Sequence, residues 1–452
     1  MLKKSFLLYT LAGCLFAAPV FAETDNKKAE DQVNTYELLN IFGEVMERTK
    51  VSYVEEITDK KLIESALNGM LTSLDPHSSY LNEQDYKYMN EQTSGKFGGL
   101  GIEITMENGI VKIISPIDDT PAAKAGLLAG DYITDIDGET VIGLTLNEVV
   151  SKLRGKVGTK VKISVRRVNA KPFDVTLTRD EIKIQSVKSE LKNKDILYIR
   201  ISAFNEDIDE DISKAVQKAQ KDLKNKLSGI VIDVRNNPGG LLDQAVKVSD
   251  LFLQQGEIVS TRSRNEADTI KYSATAGDIA ENLPIVVMIN EGSASAAEIL
   301  AGALQDHHRA VVLGNKSFGK GSVQTVIPLR NKGAMRITTA RYYTPSGRSI
   351  QAKGIEPDVW VKQAKLEEIE STAYNLSEAD LKGALKNEQA NDNGKGNKEA
   401  EEKAAADKRD YQLVRALDLV KALYIYGQND NQVAIKEAAE EENKEAKAEG
   451  QN

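Results

Sequence analysis

The sequence is poor in cysteine and histidine, with one cysteine and three histidines among 452 residues. These numbers exclude a disulfide framework and leave too few soft ligands for a Cys/His zinc cluster. Any catalysis must therefore depend on oxygen and amine groups. Basic residues are also outnumbered, because 59 Lys and Arg stand against 68 Asp and Glu for a net charge of −9. No large basic surface is available to neutralise phosphates, so no nucleic-acid partner is expected.

Long apolar runs are missing after the first 22 residues, and no later stretch approaches the roughly 18 apolar residues of a membrane span. Residues 1–22 show the pattern of an export signal. Lys3 and Lys4 form a charged start, residues 6–16 are mostly apolar, and a small-residue cleavage site ends at Ala22. The sequence therefore predicts a protein of the periplasm or cell envelope whose signal peptide is cleaved after Ala22.

Lipidation is the alternative interpretation of this segment. The run Leu11-Ala12-Gly13-Cys14 resembles the lipobox of bacterial lipoproteins, in which the cysteine is lipidated and becomes the first residue. The apolar region continues past Cys14 toward Ala22, which favours ordinary cleavage. Membrane association is expected only through such a signal or lipid anchor.

Three patterned segments follow the signal. Residues 23–96 are predicted to form an N-terminal helical domain, because 36–48 and 60–72 carry apolar side chains at helical spacing. Residues 97–182 change to short β-rich runs with glycine between them. There Asp137-Gly138 predicts a tight hairpin turn, and Thr145-Leu-Asn-Glu148 predicts a capping box that opens a helix. Residues 183–362 alternate apolar strands with helices, a pattern that is typical of an α/β core.

The remaining segment, 363–452, is predicted to contain a linker, a helix and a charged tail. Residues 388–409 contain no apolar residue larger than alanine, so they cannot offset the entropy of ordering. Residues 411–426 carry an apolar stripe at helical spacing, made of Leu413, Leu417, Val420 and Tyr424. That stripe must be buried either against this chain or against a partner.

The β-rich segment opens with a glycine-rich loop. Its glycines would let consecutive backbone N–H groups converge on a carboxylate, beside a strand edge that an extended peptide can join. A turn without a ligand is the alternative. The run from Ser115 to Gly138 closely resembles the core of the PDZ domains of bacterial proteases. By that resemblance, the carboxylate-binding residues are Gly99, Leu100, Gly101 and Ile102.

A candidate nucleophile follows the apolar strand 285–289. Small residues there leave a serine at the start of a helix, where unpaired N–H groups and the helix dipole stabilise an oxyanion. The alternative is structural, in which a serine at this position, Ser293, caps the helix and has no catalytic role. A serine also needs a base, and the candidates are the histidines His77, His307 and His308 or a lysine, Lys320. Lys320 can act as a base only where burial lowers its pKa.

Two motifs resemble the C-terminal processing peptidases, also named tail-specific proteases. They are Gly292-Ser-Ala-Ser295-Ala-Ala-Glu-Ile and Phe318-Gly-Lys320-Gly-Ser-Val-Gln324. Further matches within residues 36–361 are Leu74 to Tyr80, Asp233 to Gly240, Gln305 to Ala310, Tyr343 to Ile350 and Gly354 to Asp358.

The resemblance implies roles for individual residues. Ser295 would be the nucleophile, Lys320 the general base and Gln324 the residue that orients the lysine. The backbone N–H groups of Gly240, preferred over Gly239, and of Ala296 would form the oxyanion hole. No metal or organic cofactor is implied.

The same resemblance implies a multidomain α+β protein with a helical N-terminal domain, a PDZ domain, an α/β crotonase-like protease core and a helical C-terminal extension. Its expected function is that of an exported serine endopeptidase that binds protein C-termini and cleaves near them.

The PDZ domain is expected to gate the active site, with Arg166 or Arg167 as the link to the core. A homodimer through 36–48 and 411–426 is expected, and an unknown adaptor protein is a possible partner. The competing function is an inactive PDZ adaptor of the cell envelope.

Overall fold

The computed structural model describes residues 27–107, 109–224, 226–330, 333–364 and 410–427. The predicted signal peptide, lipobox, linker 388–409 and charged tail lie outside these residues. Within them, no helix is both long enough and apolar enough to cross a bilayer. The chain divides into two compact units, Met1–Leu74 and Asp75–Asn452.

The first unit contains two helices, α1 (Lys27–Ser52) and α2 (Asp59–Thr72). Thr58 caps α2, because its hydroxyl accepts a hydrogen bond from the Lys61 backbone at 3.3 Å. The apolar stripe predicted in α1 faces solvent, and four of its side chains are about half exposed: Leu38, Ile41, Phe42 and Val45.

The second unit begins with β1 (Ser79–Leu81), α3 (Glu83–Ser94) and β2 (Lys96–Gly99). The segment predicted as helical, 23–96, therefore contains β1 and ends at the first residue of β2. β1 pairs with a strand more than 250 residues later, in the register Tyr80 to Met335. This long-range pairing, which no local pattern indicates, groups residues 75–96 with the second unit.

The β-rich domain follows as one six-stranded sheet. Its strands run in the order β3-β4-β5-β7-β8, with β6 beside β5, and β9 pairs with β2. The local signals are confirmed: the Asp137-Gly138 turn has two positive φ angles, and Thr145 and Glu148 form a capping box. The bounds are β3 (Ile102–Glu107), β4 (Ile110–Pro116), α4 (Pro121–Lys124), β5 (Tyr132–Ile136), β6 (Glu139–Thr140), α5 (Leu146–Leu153), β7 (Lys160–Arg166), β8 (Phe173–Thr178) and β9 (Asp180–Lys183).

The α/β core contains a second six-stranded sheet with the order β10-β11-β12-β15-β16-β19, parallel except for β10. A further sheet has the order β1-β18-β13-β14, with β17 beside β18. The bounds are β10 (Val187–Lys192), β11 (Ile196–Ile201), α6 (Ile208–Asp222), β12 (Gly229–Asp233), α7 (Leu242–Asp250), β13 (Glu257–Ser263), β14 (Ile270–Ser273), β15 (Ile285–Ile289), α8 (Ala296–Asp306), β16 (Val311–Gly314), β17 (Ser322–Pro328), β18 (Ala334–Tyr343) and β19 (Val359–Trp360).

The last helix, α9, is described over residues 411–427. Its predicted stripe is buried against this chain: Leu413, Leu417 and Val420 pack on the face of the sheet that carries Val231 and Met288. Helices α6, α7 and α8 share a core with the opposite face. The parallel strands are therefore covered on both faces, as parallel sheets require, and their carboxyl ends place the following loops at one edge.

Candidate active site

Ser295 lies in the sharp turn between β15 and α8. Its φ of 54° and ψ of −114° are unusual for a residue with a side chain, and its exposed fraction is only 7%. Such backbone strain is typical of functional sites. Ser293 is not the N-cap, because α8 begins at Ala296 after Ser295. Instead, the Ser293 hydroxyl donates to the carbonyl of Val234 at 2.8 Å, which joins this turn to the loop after β12.

The loop after β12 brings Gly239 against Ser295. A Cβ built on Gly239, whose φ is +100°, would lie 2.8 Å from the Ser295 Cβ and 3.0 Å from the Ala296 nitrogen. No side chain is therefore tolerated there. The Gly239 N–H donates to the Asn237 side chain at 2.8 Å. Within the described residues the N–H groups of Gly240 and Ala296 have no acceptor.

Lys320 is half-buried in the loop before β17. Burial lowers the pKa of its ammonium group, and the positive charge of Arg336 lowers it further, against the opposing effect of Glu298 and Asp75. Its ammonium group makes no hydrogen bond or ion pair with the part of the chain that the structure describes. A lysine in such surroundings holds its proton weakly.

One carboxylate, that of Glu298, joins the turn of Ser295 to the loop of Lys320. Its Oε2 accepts hydrogen bonds from the backbone N–H of Ser295 at 2.8 Å and of Lys320 at 2.9 Å. Its Oε1 accepts from the Ser317 hydroxyl at 2.5 Å and the Gly319 N–H at 2.7 Å. The side chain is fully buried, and burial raises its pKa. Glu298 therefore sets the separation of the two backbones.

Glu298 is a site residue that the sequence reasoning missed, although a signal was present. Ser295-Ala-Ala-Glu298 has the spacing of a capping box, with an acidic residue three positions after the N-cap. The motif explains the bond from the Ser295 N–H. Nothing in the local sequence indicates that the same carboxylate also binds the loop of Lys320.

Gln324 lies on β17 opposite Thr338 of β18. Its side-chain nitrogen donates to the hydroxyls of Ser322 at 2.9 Å and Thr338 at 3.3 Å. The Thr338 hydroxyl donates in turn to Asp75 at 3.1 Å. Asp75 also accepts from the Ser78 hydroxyl at 2.7 Å. The motif at 74–80 thus reaches the neighbourhood of Gln324, although no direct bond joins Gln324 to Lys320.

The three histidines lie in different places. His307 follows the end of α8, opposite Ser295, and its ring binds the carbonyl of Glu257 at 2.7 Å. An 11-residue helix extends about 16 Å, so His307 and His308 lie too far away to take the serine proton. His77 is half-buried, and its pKa is lowered by burial and then by the nearby charge of Lys320.

The glycine-rich loop lies between β2 and β3. The N–H groups of Leu100 and Gly101 have no protein acceptor within the described residues, and Gly101 has a φ of +76°. β3 forms one end of its sheet, so its outer edge is unpaired in the described part of the chain. Val149 of α5 shares a core with Ile104 of β3. The loop therefore presents N–H groups without an acceptor beside the outer edge of β3, an arrangement that can bind an anion.

Arg167, one of the two arginines predicted to link this domain to the core, is paired within the domain. Its guanidinium binds Asp131, inside the same domain, at 2.7 Å. Arg154, at the end of α5, instead donates to Glu91 of α3 at 3.1 Å and stacks on the ring of Phe97, 4.0 Å from its centroid.

Three family profiles match this chain. Peptidase family S41 matches residues 195–361, and a PDZ domain matches residues 98–178. The N-terminal domain of the activating protease CtpB matches residues 11–85. The matched segments contain Ser295, Lys320 and the glycine-rich loop.

Individual relatives are similar over most of the chain. A carboxy-terminal-processing protease of Bartonella bacilliformis is 49% identical over 398 residues, which cover 88% of this chain and 91% of that protein. A "Probable CtpA-like serine protease" of Staphylococcus aureus is 36% identical over 349 residues, 77% of this chain and 67% of that protein. The solved structure of a photosystem II D1 C-terminal processing protease is 31% identical, covers 70% of this chain and 85% of that chain, and has a TM-score of 0.42.

Proposed function

Because the chain belongs to the carboxy-terminal-processing proteases and is a serine-type protease with a PDZ domain and an S41 core, we propose that it is exported and cleaves proteins near their C-termini with a Ser295–Lys320 dyad. The observation that carries this proposal is the position of Glu298, whose single carboxylate binds the backbones of both residues. A shared buried anchor is expected where two side chains must meet with fixed geometry.

In the proposed mechanism, the Ser295 hydroxyl attacks the scissile carbonyl while neutral Lys320 takes its proton. Lys320 then returns the proton to the departing amine, and water hydrolyses the acyl-enzyme. Burial and Arg336 lower the pKa of Lys320, so its neutral fraction, and with it the rate, rises as the pH rises through that pKa. Gln324 acts through Ser322 and Thr338, which order the strand beside the lysine.

The proposed oxyanion hole uses the N–H groups of Gly240 and Ala296. The Gly239 N–H is already engaged by Asn237, which favours Gly240 as the donor. Ala296 is the first residue of α8, where an unpaired N–H and the helix dipole both favour negative charge. Removing one such donor typically lowers kcat by about 10²- to 10³-fold.

A groove between the outer edge of β3 and α5, with the glycine-rich loop at its end, is proposed to capture the C-terminus of the substrate. The N–H groups of Leu100 and Gly101, with those of Gly99 and Ile102 beside them, would bind the terminal carboxylate, and the peptide would extend β3. Arg154 connects α5, at the wall of this groove, to Glu91 of α3. That contact supports the proposed gating of the active site by the bound peptide.

We expect cleavage of an unstructured protein to depend on a free, apolar C-terminus. Amidating that terminus should lower kcat/KM by about 10- to 100-fold, since hydrogen bonds to a charged group contribute roughly 1.5–3 kcal/mol. The measurement compares amidated and free forms of one substrate with apolar and polar tails. Equal rates for all forms would contradict C-terminal recognition, whereas binding of the tail without any cleavage would indicate an inactive PDZ adaptor.

Export and the domain boundaries belong to the same proposal. Cleavage after Ala22, or lipidation at Cys14 as the alternative, would place the mature chain in the periplasm or cell envelope. The proposed domains are 23–96, 97–182, 183–362 and 363–452, and the first of them includes residues 75–96, which belong to the second compact unit.

A homodimer is proposed through the exposed stripe of α1, because the stripe of α9 is covered by this chain's own sheet. We expect sedimentation to show a dimer at micromolar concentration and Phe42→Asp to convert it to a monomer, since a charge cannot be buried unpaired at an apolar contact. Glu44→Gln, on the same helix and exposed, is the control. A wild-type monomer would contradict the dimer.

A further inference from the structure

One ion pair connects α9 to the loop that carries Gly239 and Gly240. Arg235 donates from Nη1 to Asp410 Oδ1 at 2.9 Å and from Nη2 to Asp410 Oδ2 at 2.6 Å. The side chains of Arg235 and Asp410 are only 12% and 31% exposed. The same guanidinium binds Asp233 at the end of β12. Such two-point pairing fixes both position and orientation.

The loop held by Arg235 is bonded directly to the turn of the nucleophile. The N–H of Asn236 donates to Asn290 Oδ1 at 2.7 Å, and Asn290 Nδ2 donates back to Asn236 Oδ1 at 2.9 Å. The carbonyl of Asn237 accepts from the Ala294 N–H at 2.9 Å. A displacement of Arg235 would therefore be transmitted through these bonds to the turn of Ser295. It would change the position of Gly240 relative to Ser295.

The opposite end of α9 has a separate attachment. Lys421 binds Asp195 and Ser228, which lie just before the amino ends of β11 and β12. Between the two attachments, the apolar stripe of α9 covers the sheet. Asp410 and Lys421 thus anchor one helix at opposite edges of the sheet, and only Asp410 lies at the edge that carries Gly240.

We propose that Asp410 is a positioning residue for the oxyanion loop, so that α9, outside the matched span 195–361, is part of the catalytic unit. This inference rests on the proposed role of Gly240. The ion pair keeps Arg235 in place, and Arg235 keeps the loop in register with Ser295. Losing the pair shifts the oxyanion donor without altering the PDZ groove, so kcat falls while KM is retained.

The test uses the full chain as wild type, Asp410→Ala, Asp410→Asn, Asp410→Glu, Lys421→Met and Ser295→Ala. The values of kcat and KM are measured on an unstructured protein with a free apolar C-terminus, below the unfolding midpoint of every variant. Asp410→Ala should lower kcat by about 10- to 100-fold with KM within about twofold, as expected for misplaced catalytic groups. Asp410→Glu, which keeps the carboxylate, should recover most of this loss. Lys421→Met should lower the unfolding midpoint but leave kcat within about twofold of wild type.

Two results would overturn the inference. One is a kcat for Asp410→Ala equal to that of wild type, and the other is an equal loss for Lys421→Met, which would assign the effect to helix docking in general. Should Asp410→Ala not fold, Asp410→Asn is judged by the same criteria. If wild type cleaves and Ser295→Ala does not, a negative result concerns only Asp410; if wild type does not cleave, the proposed function itself fails.

Discussion

Ser295→Ala and Lys320→Ala are each expected to lower kcat by at least about 10⁴-fold, as single removals of a nucleophile or base do in other serine proteases. Alanine at 295 removes the attacking hydroxyl, and alanine at 320 removes the half-buried amine of the residue whose backbone N–H binds Glu298. Lys320→Arg should be equally inactive, because a guanidinium keeps its charge but cannot be deprotonated.

The matched control is Lys316→Ala, in the same loop. Lys316 is exposed and pairs with Glu356, so its removal should leave kcat unchanged. The measurement combines steady-state cleavage with labelling of Ser295 by a fluorophosphonate, which requires an activated serine. Substantial cleavage by Lys320→Ala would refute the dyad. If Lys320→Ala cleaves and His77→Ala does not, the base would be assigned to His77, the histidine whose pKa is lowered by the charge of Lys320.

Glu298→Gln should have the second largest effect, a loss of kcat of about 100-fold, because small misplacements of catalytic groups have effects of this size. The carboxamide presents an N–H₂ group where the carboxylate accepts two hydrogen bonds, so either Ser295 and Lys320 or Ser317 and Gly319 lose their acceptor. The two backbones would then separate while the hydroxyl and the amine both remain present.

The control for this change is Glu291→Gln, because Glu291 is exposed in the same turn and its side chain accepts a hydrogen bond at 2.8 Å from Asn315, which is not a hydrogen-bond partner of Glu298. Kinetics and thermal unfolding are measured together. Glu298→Gln should lower stability as well, since each buried donor without an acceptor costs about 1–3 kcal/mol. A variant with lowered stability but wild-type kcat would show that Glu298 contributes only to folding, and would remove the observation on which the proposed dyad rests.

Short sequence patterns predict some features of this fold and its active site but not others. The spacing from Ser295 to Glu298 indicates a helix start, and the Asp137-Gly138 and Thr145-Glu148 signals predict their turn and cap correctly, because each depends on residues within one turn of the chain. The apolar stripe of residues 411–426 likewise predicts a buried helix. Its burial surface, the face of the sheet in its own chain, has no local signature.

Sequence alone therefore determined the family, the order of the domains, the candidate residues Ser295 and Lys320, and the local elements that present them. The tertiary structure decided which groups meet. The backbone N–H of Lys320 binds Glu298 across 22 residues, the side chain of Arg235 binds Asp410 across 175, and the hydroxyl of Thr338 binds Asp75 across 263. It also engaged the Gly239 N–H with Asn237 and separated His307 from Ser295 by the length of α8. Short-range patterns encode φ, ψ and the direction of burial, whereas contacts across such separations arise only when the sheets have assembled.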